Sequence, residues 1–230
     1  MSASAATTLW RTSIGKKAVM AVTGFILVGF VVLHMLGNLK LYQGEEKFNT
    51  YATFLRELGA PMLGNNQFLW VARLVLLTAT VLHIVSAVQL SQMSYAARPR
   101  RYRRREPIQS TYASRTMRWG GVIITLFVIY HILHFTFGAV GFAPGQFRPM
   151  SVYRNVVIGF SVWYVSAFYI AAIIALGLHI YHGVWSMFQT LGLNSLRTNR
   201  AYRGLAAVSA LAVVVGNVSF PIAVLTGLIR

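Results

Sequence analysis

The sequence predicts an all-α integral membrane bundle of five transmembrane helices, forming one domain over residues 1–230. Three observations carry this reading: scarce charge, five long apolar runs, and basic residues gathered between alternate runs. Of the residues, 56% are hydrophobic and 11% charged, against roughly 25% charged in soluble domains. Too little polar surface exists to cover a globule.

The apolar runs cover residues 18–39, 68–90, 119–140, 156–188 and 205–228. Each reaches the length of about 20 residues that a membrane helix needs. Helix is the economical conformation, because backbone groups in lipid must be satisfied within the segment. The fourth run exceeds what a bilayer requires, so it is expected to tilt or to project beyond one face. The connection over 42–67, with Gly59, Pro61 and Gly64, reads as a short amphipathic segment ending in a turn.

Orientation follows from the basic residues. The N-terminal tail has Arg11, Lys16 and Lys17, the second connection has eight arginines between Arg98 and Arg118, and the fourth has Arg197, Arg200 and Arg203. These segments hold fourteen of the 21 basic residues, while Glu45, Glu46 and Glu57 accompany the remainder. The N-terminus is therefore expected in the cytoplasm and the C-terminus outside. No cleavable signal peptide is expected, since the small, polar start runs into no A-x-A-like site after a short apolar run.

A net charge of +17 raises nucleic acid as a partner. The basic residues lie in short segments between apolar runs, which argues against it. The arginine run over 98–105 reads as the topology signal, with anionic lipid or an acidic protein partner as alternatives. The absence of cysteine excludes disulfides, cysteine-ligated iron–sulfur clusters and haem attached through Cys-x-x-Cys-His.

All six histidines, His34, His83, His131, His134, His179 and His182, fall within apolar spans. Ionisable residues at that depth are costly and usually functional. Four consecutive spans carry at least one each, and the fifth carries none. His34 precedes His131 by 97 residues and His83 precedes His179 by 96. Around the first pair Gly24, Phe30, Val31 and Leu36 match Gly121, Phe127, Val128 and Leu133; around the second, Leu82-His83-Ile84 matches Leu178-His179-Ile180. The chain reads as a two-helix unit used twice in parallel, with a fifth helix added.

Depth leads to the same pairs. His34 lies about 24 Å along the first span and His83 about 10 Å from the inner end of the second, at 1.5 Å per residue. His131 is well along an outward-running helix, and His179 sits in the inner half of the fourth span. His34 with His131 outside, and His83 with His179 inside, form opposed pairs at two heights. Such pairs can clamp a haem iron from both sides, and full axial ligation suits electron transfer. Zinc competes poorly, because two pairs at different depths make no four-ligand site. A proton relay competes too, although such relays usually include Asp or Glu and no span holds either. His134 and His182 follow the proposed ligands by three residues and are rival ligands. The repeat favours His131 and His179, leaving His134 and His182 to bond haem propionates or neighbouring hydroxyls. Arg73 is a candidate propionate partner, with snorkelling to the surface as the alternative. Gly24, Gly29, Gly121 and Gly177 would let flat macrocycles or neighbouring helices approach.

The segments SIGKKAVMAVTGFILVGFVVLHMLGNLKLY, VARLVLLTATVLHI, RWGGVIITLFVIYHILHFTFG and LGLHIYHGVWSMFQTLG resemble the cytochrome b subunit of succinate:quinone oxidoreductases. The match is to the single-subunit, five-helix, di-haem type of succinate dehydrogenases and fumarate reductases. It runs from Ser13 to Leu191, and HGVWSMFQTLG is its most specific piece. The resemblance implies two non-covalent haem b groups, on His34 with His131 and on His83 with His179. It further implies a bacterial cytoplasmic membrane, flavoprotein and iron–sulfur subunits on the cytoplasmic face, and a quinone, menaquinone in many relatives of this type. It implies electron transfer from succinate to quinone, without catalytic residues in this chain. In some relatives a glutamate beyond the first helix serves an outer quinone site. Glu57 is its nearest counterpart, with Glu45 and Glu46 as rivals and a plain solvated carboxylate as the alternative.

Overall fold

The computed structural model describes residues 10–97 and 112–230. Among these residues the fold is all helical, without a strand, and five helices are long and apolar enough to cross a membrane. The chain is a multi-pass membrane protein. Many large apolar side chains in the spans are exposed on the outside of the bundle, Phe25, Leu33, Leu77, Trp119, Leu126 and Leu211 among them. In water such a surface would aggregate; in a bilayer it is the solvated face.

Helix α1, Ser13–Asn38, starts where the Thr12 hydroxyl accepts from Gly15 N at 3.0 Å and runs into a 3-10 turn, Leu39–Gln43. Helix α2, Glu45–Glu57, is the amphipathic segment of the first connection. Gly44, with φ 93°, turns the chain into it, and Glu45 and Glu46 stand in its first turn, where carboxylates favour the helix dipole. Helix α3, Gln67–Ala96, returns across the bundle. Helix α4, Tyr112–His131, continues into a π-helical turn, Ile132–Thr136, before Gly138 ends it at φ 62°.

The long fourth apolar run departs from expectation. It is not one tilted span but two helices, α5 (Val152–Ser161) and α6 (Trp163–Thr190), separated at Val162 by an extended residue with ψ 106°. The break frees the Phe160 carbonyl, and the buried Ser166 hydroxyl donates to it at 2.6 Å. That bond satisfies a group which lipid cannot. Helix α7, Asn199–Leu225, carries Pro221 inside its last turns.

Helix α6 is the hub, packing along α4, α7 and α1, while α1 packs along α3. Gly177 of α6 admits Val214 of α7 so closely that a Cβ would stand 2.3 Å from its methyl group. Gly24 approaches His83, whereas among the described residues Gly29 and Gly121 have nothing within 4 Å of an added Cβ. Contacts fix which helix ends share a face. At one end Arg118 hydrogen-bonds and stacks on Tyr95, Arg203 stacks on Trp185, and Phe188 lies flat on Tyr202 at 4.1 Å. At the other, Tyr42 donates to Ser219, Asn49 Oδ1 accepts from Tyr153 N, and Tyr153 donates to the Arg230 carbonyl. We call these the first and second faces.

Candidate functional site

Four of the six histidines form two facing pairs. The His34 ring, from α1, meets the His131 ring, from α4, at 5.9 Å between centres and 85° between planes. The His83 ring, from α3, meets that of His179, from α6, at 6.2 Å and 59°. Neither α1 with α4 nor α3 with α6 is among the closely packed helix pairs. The rings therefore face one another across the two diagonals of the first four spans.

The pairs sit at separate levels. Thr23, which touches His83, and His34 are both on α1, eleven residues apart; at 1.5 Å per residue that is about 16 Å. Tyr169, which touches His131, and His179 are both on α6, ten residues apart, or about 15 Å. Two helices return the same separation independently. The His83 pair lies toward the first face and the His34 pair toward the second. No group of three or more His, Asp or Glu is placed to hold a metal ion together among the described residues.

At the first level, the Thr23 hydroxyl lies 3.2 Å from His83 Nδ1 and 2.7 Å from the Val19 carbonyl. A hydroxyl has one hydrogen, and the shorter contact takes it, so the oxygen accepts from His83 Nδ1–H. The lone pair of His83 then stands on Nε2. The repeat replaces Thr23 by Gly120. Accordingly His179 Nδ1 is buried with no hydrogen-bond partner among the described residues, beside a cavity of about 210 Å³ that Gly120, Thr116 and Trp119 help to line. His182 stands one turn on, its ring edge-on to Trp185 at 6.2 Å, and its Nδ1 is likewise without a partner among the described residues.

At the second level His134 is fully buried. The π-helical turn widens the backbone at this point, and His134 Nδ1 lies 3.0 Å from the Tyr169 hydroxyl, which in turn lies 3.4 Å from His131 Nδ1. His134 stacks on Phe135 at 4.0 Å. Its other side is closed by Gly141 and Gly159, where an added Cβ would stand 2.6 Å and 2.8 Å from Nε2. That nitrogen has no partner among the described residues.

The remaining candidates lie apart. Arg73 is exposed and its guanidinium stacks on Trp70 at 5.0 Å, the posture of a snorkelling side chain. Glu57 ends α2 and lines, with Glu46, Asn49 and Phe54, an open groove of about 430 Å³ in which no histidine takes part. The arginine run over 98–105 lies outside the described residues. Thr23 and Tyr169 escaped the sequence reading, because the repeat matches them to Gly120 and Arg73 and so marks neither. No family model, no curated protein and no solved structure matches the chain.

Proposed function

We propose that this chain is the di-haem cytochrome b anchor of a succinate dehydrogenase or fumarate reductase complex, passing electrons between an iron–sulfur subunit and membrane quinone. One observation carries the reading: two histidine pairs face each other at two levels, on helices that are not packed closely together. The donor set fits haem b. Two metal–imidazole bonds of about 2 Å each, with about 1 Å from each nitrogen to its ring centre, require centres about 6 Å apart. The observed spacings are 5.9 Å and 6.2 Å.

In this reading His83 and His179 hold the haem nearer the first face, and His34 and His131 the one nearer the second. Bound haem would supply one-electron chemistry, with imidazoles of each facing pair as the residues that would hold it. The protein does the rest. Thr23 fixes the His83 tautomer, and the apolar spans exclude water. The first face, with Arg118, Arg197, Arg200 and Arg203, would be cytoplasmic and would receive flavoprotein and iron–sulfur subunits. Menaquinone is the quinone we assign, and Glu57 the carboxylate offered to it on the second face.

Pyridine haemochrome analysis of the assembled complex should give about two haem b per chain, from two bis-histidine sites. The co-purifying subunits should be a flavoprotein and an iron–sulfur protein that reduce quinone with succinate. A haem content near zero would refute the reading. Hydrogenase or formate dehydrogenase subunits in their place would move the chain to another quinone-linked complex.

A further inference from the structure

The second level holds a histidine that the ligand pairs do not use. His134 is fully buried on a π-helical turn, wedged between Phe135 and two glycines too close for any Cβ. Burying a polar ring with one nitrogen unpartnered is costly, and π-helical turns occur frequently at functional sites. The only side chain to hydrogen-bond it among the described residues is Tyr169, whose hydroxyl is shared with His131.

We infer that Tyr169, backed by His134, is a positioning residue that holds His131 with its hydrogen on Nδ1 and its lone pair on Nε2, toward His34. This assignment rests on the haem reading above. A phenol has one hydrogen to donate. Ligation through Nε2 requires His131 to carry its hydrogen on Nδ1, so the oxygen accepts at its 3.4 Å contact with His131 and the phenol hydrogen goes to His134 Nδ1 at 3.0 Å. The donor there is His131 Nδ1–H, and Nε2 is left bare. Reversing the chain of bonds would put the hydrogen of His131 on Nε2, where it could not ligate a metal. The burial of His134 thus has a purpose: it absorbs the one hydrogen that would otherwise set the wrong tautomer. The other level reaches the same end by different means, with the Val19 carbonyl absorbing the hydrogen of Thr23.

An acceptor on the distal N–H makes imidazole a stronger donor and favours the oxidised metal. Redox titration of the assembled complex, with the spectrum as readout, tests the assignment. Tyr169→Phe should keep two haems per chain and raise the midpoint potential of one, leaving the other unchanged. His134→Gln, which keeps the tyrosine hydroxyl, should move the same potential in the same direction by less. Both potentials unchanged in Tyr169→Phe at full haem content would overturn the inference. If that variant does not assemble, unchanged potentials in His134→Gln do so alone. A wild-type complex without haem would instead refute the proposed function, so the two failures are distinguishable. A purely structural hydrogen bond would lower stability without moving one potential selectively.

Discussion

A threonine hydroxyl in the middle of a membrane helix normally bonds back to its own backbone, and Thr23 does so, to the Val19 carbonyl at 2.7 Å. Its oxygen still has a lone pair to offer, and His83 Nδ1 takes it at 3.2 Å. Thr23→Val removes that acceptor at nearly constant shape. Loss of one such bond is worth about 1 kcal/mol, so haem should leave the first level about fivefold faster in detergent. Thr23→Ser should restore retention, and His182→Ala should leave haem content unchanged, because the ring facing His83 belongs to His179. Equal haem loss in Thr23→Val and wild type would show that the hydroxyl orients nothing. Which histidines face each other was legible in the sequence, because the repeat carries one histidine per helix at a spacing of 97 or 96 residues. The hydroxyls that orient them were not legible. A hydroxyl that bonds a histidine answers to local geometry, and the two halves of the repeat solve that geometry with different residues.

Between residues, the helix ends and breaks carry the departures. The run over 156–188 is apolar throughout, so hydropathy alone reads one span; the extended Val162 and the Ser166 bond to Phe160 make it two helices. No proline sits at the break, and lipid-soluble composition is indifferent to it. The π-helical turn over Ile132–Thr136 is equally silent in the sequence, yet it turns His134 onto Tyr169. Gly159 in α5 and Gly141 in the loop before it are what let that turn close. Gly159→Ala would set a Cβ 2.8 Å from His134 Nε2 and 3.0 Å from Phe135. Overpacking of this kind costs about 1–3 kcal/mol. Thermal unfolding in detergent, followed by tryptophan fluorescence, should show a midpoint several degrees lower than wild type. An unchanged midpoint would mean that α5 can move off α4 freely.

At the scale of the molecule, five spans were legible because a lipid-facing surface has to be apolar all round, and nothing else in a chain of this composition competes with that signal. The most specific run of the family resemblance also has a visible structural use. Trp185 donates to Asn199 at 3.0 Å and receives Arg203, while Phe188 stacks on Tyr202, so the run fastens α6 to α7 at the first face. If that face receives the soluble subunits, reversing charge at Arg101, Arg103 and Arg104 should loosen them at moderate salt without altering haem content. Co-purification across a salt series measures this, and an unaltered salt dependence would refute docking through the second connection. The second face carries a consequence of another sort, in the order of synthesis. Its cap is tied from pieces far apart in the chain: Tyr42 to Ser219, Asn49 to Tyr153, and Tyr153 to the carbonyl of Arg230. A ribosome delivers these pieces one after another, and the last knot cannot be tied until the fifth helix has been threaded across the bilayer. If the second face is the outer one, as proposed, the segments around Asn49 and Tyr153 would until then stand on the far side without their final partner. They are the stretch of nascent chain that a protease or a chaperone on that side would meet first.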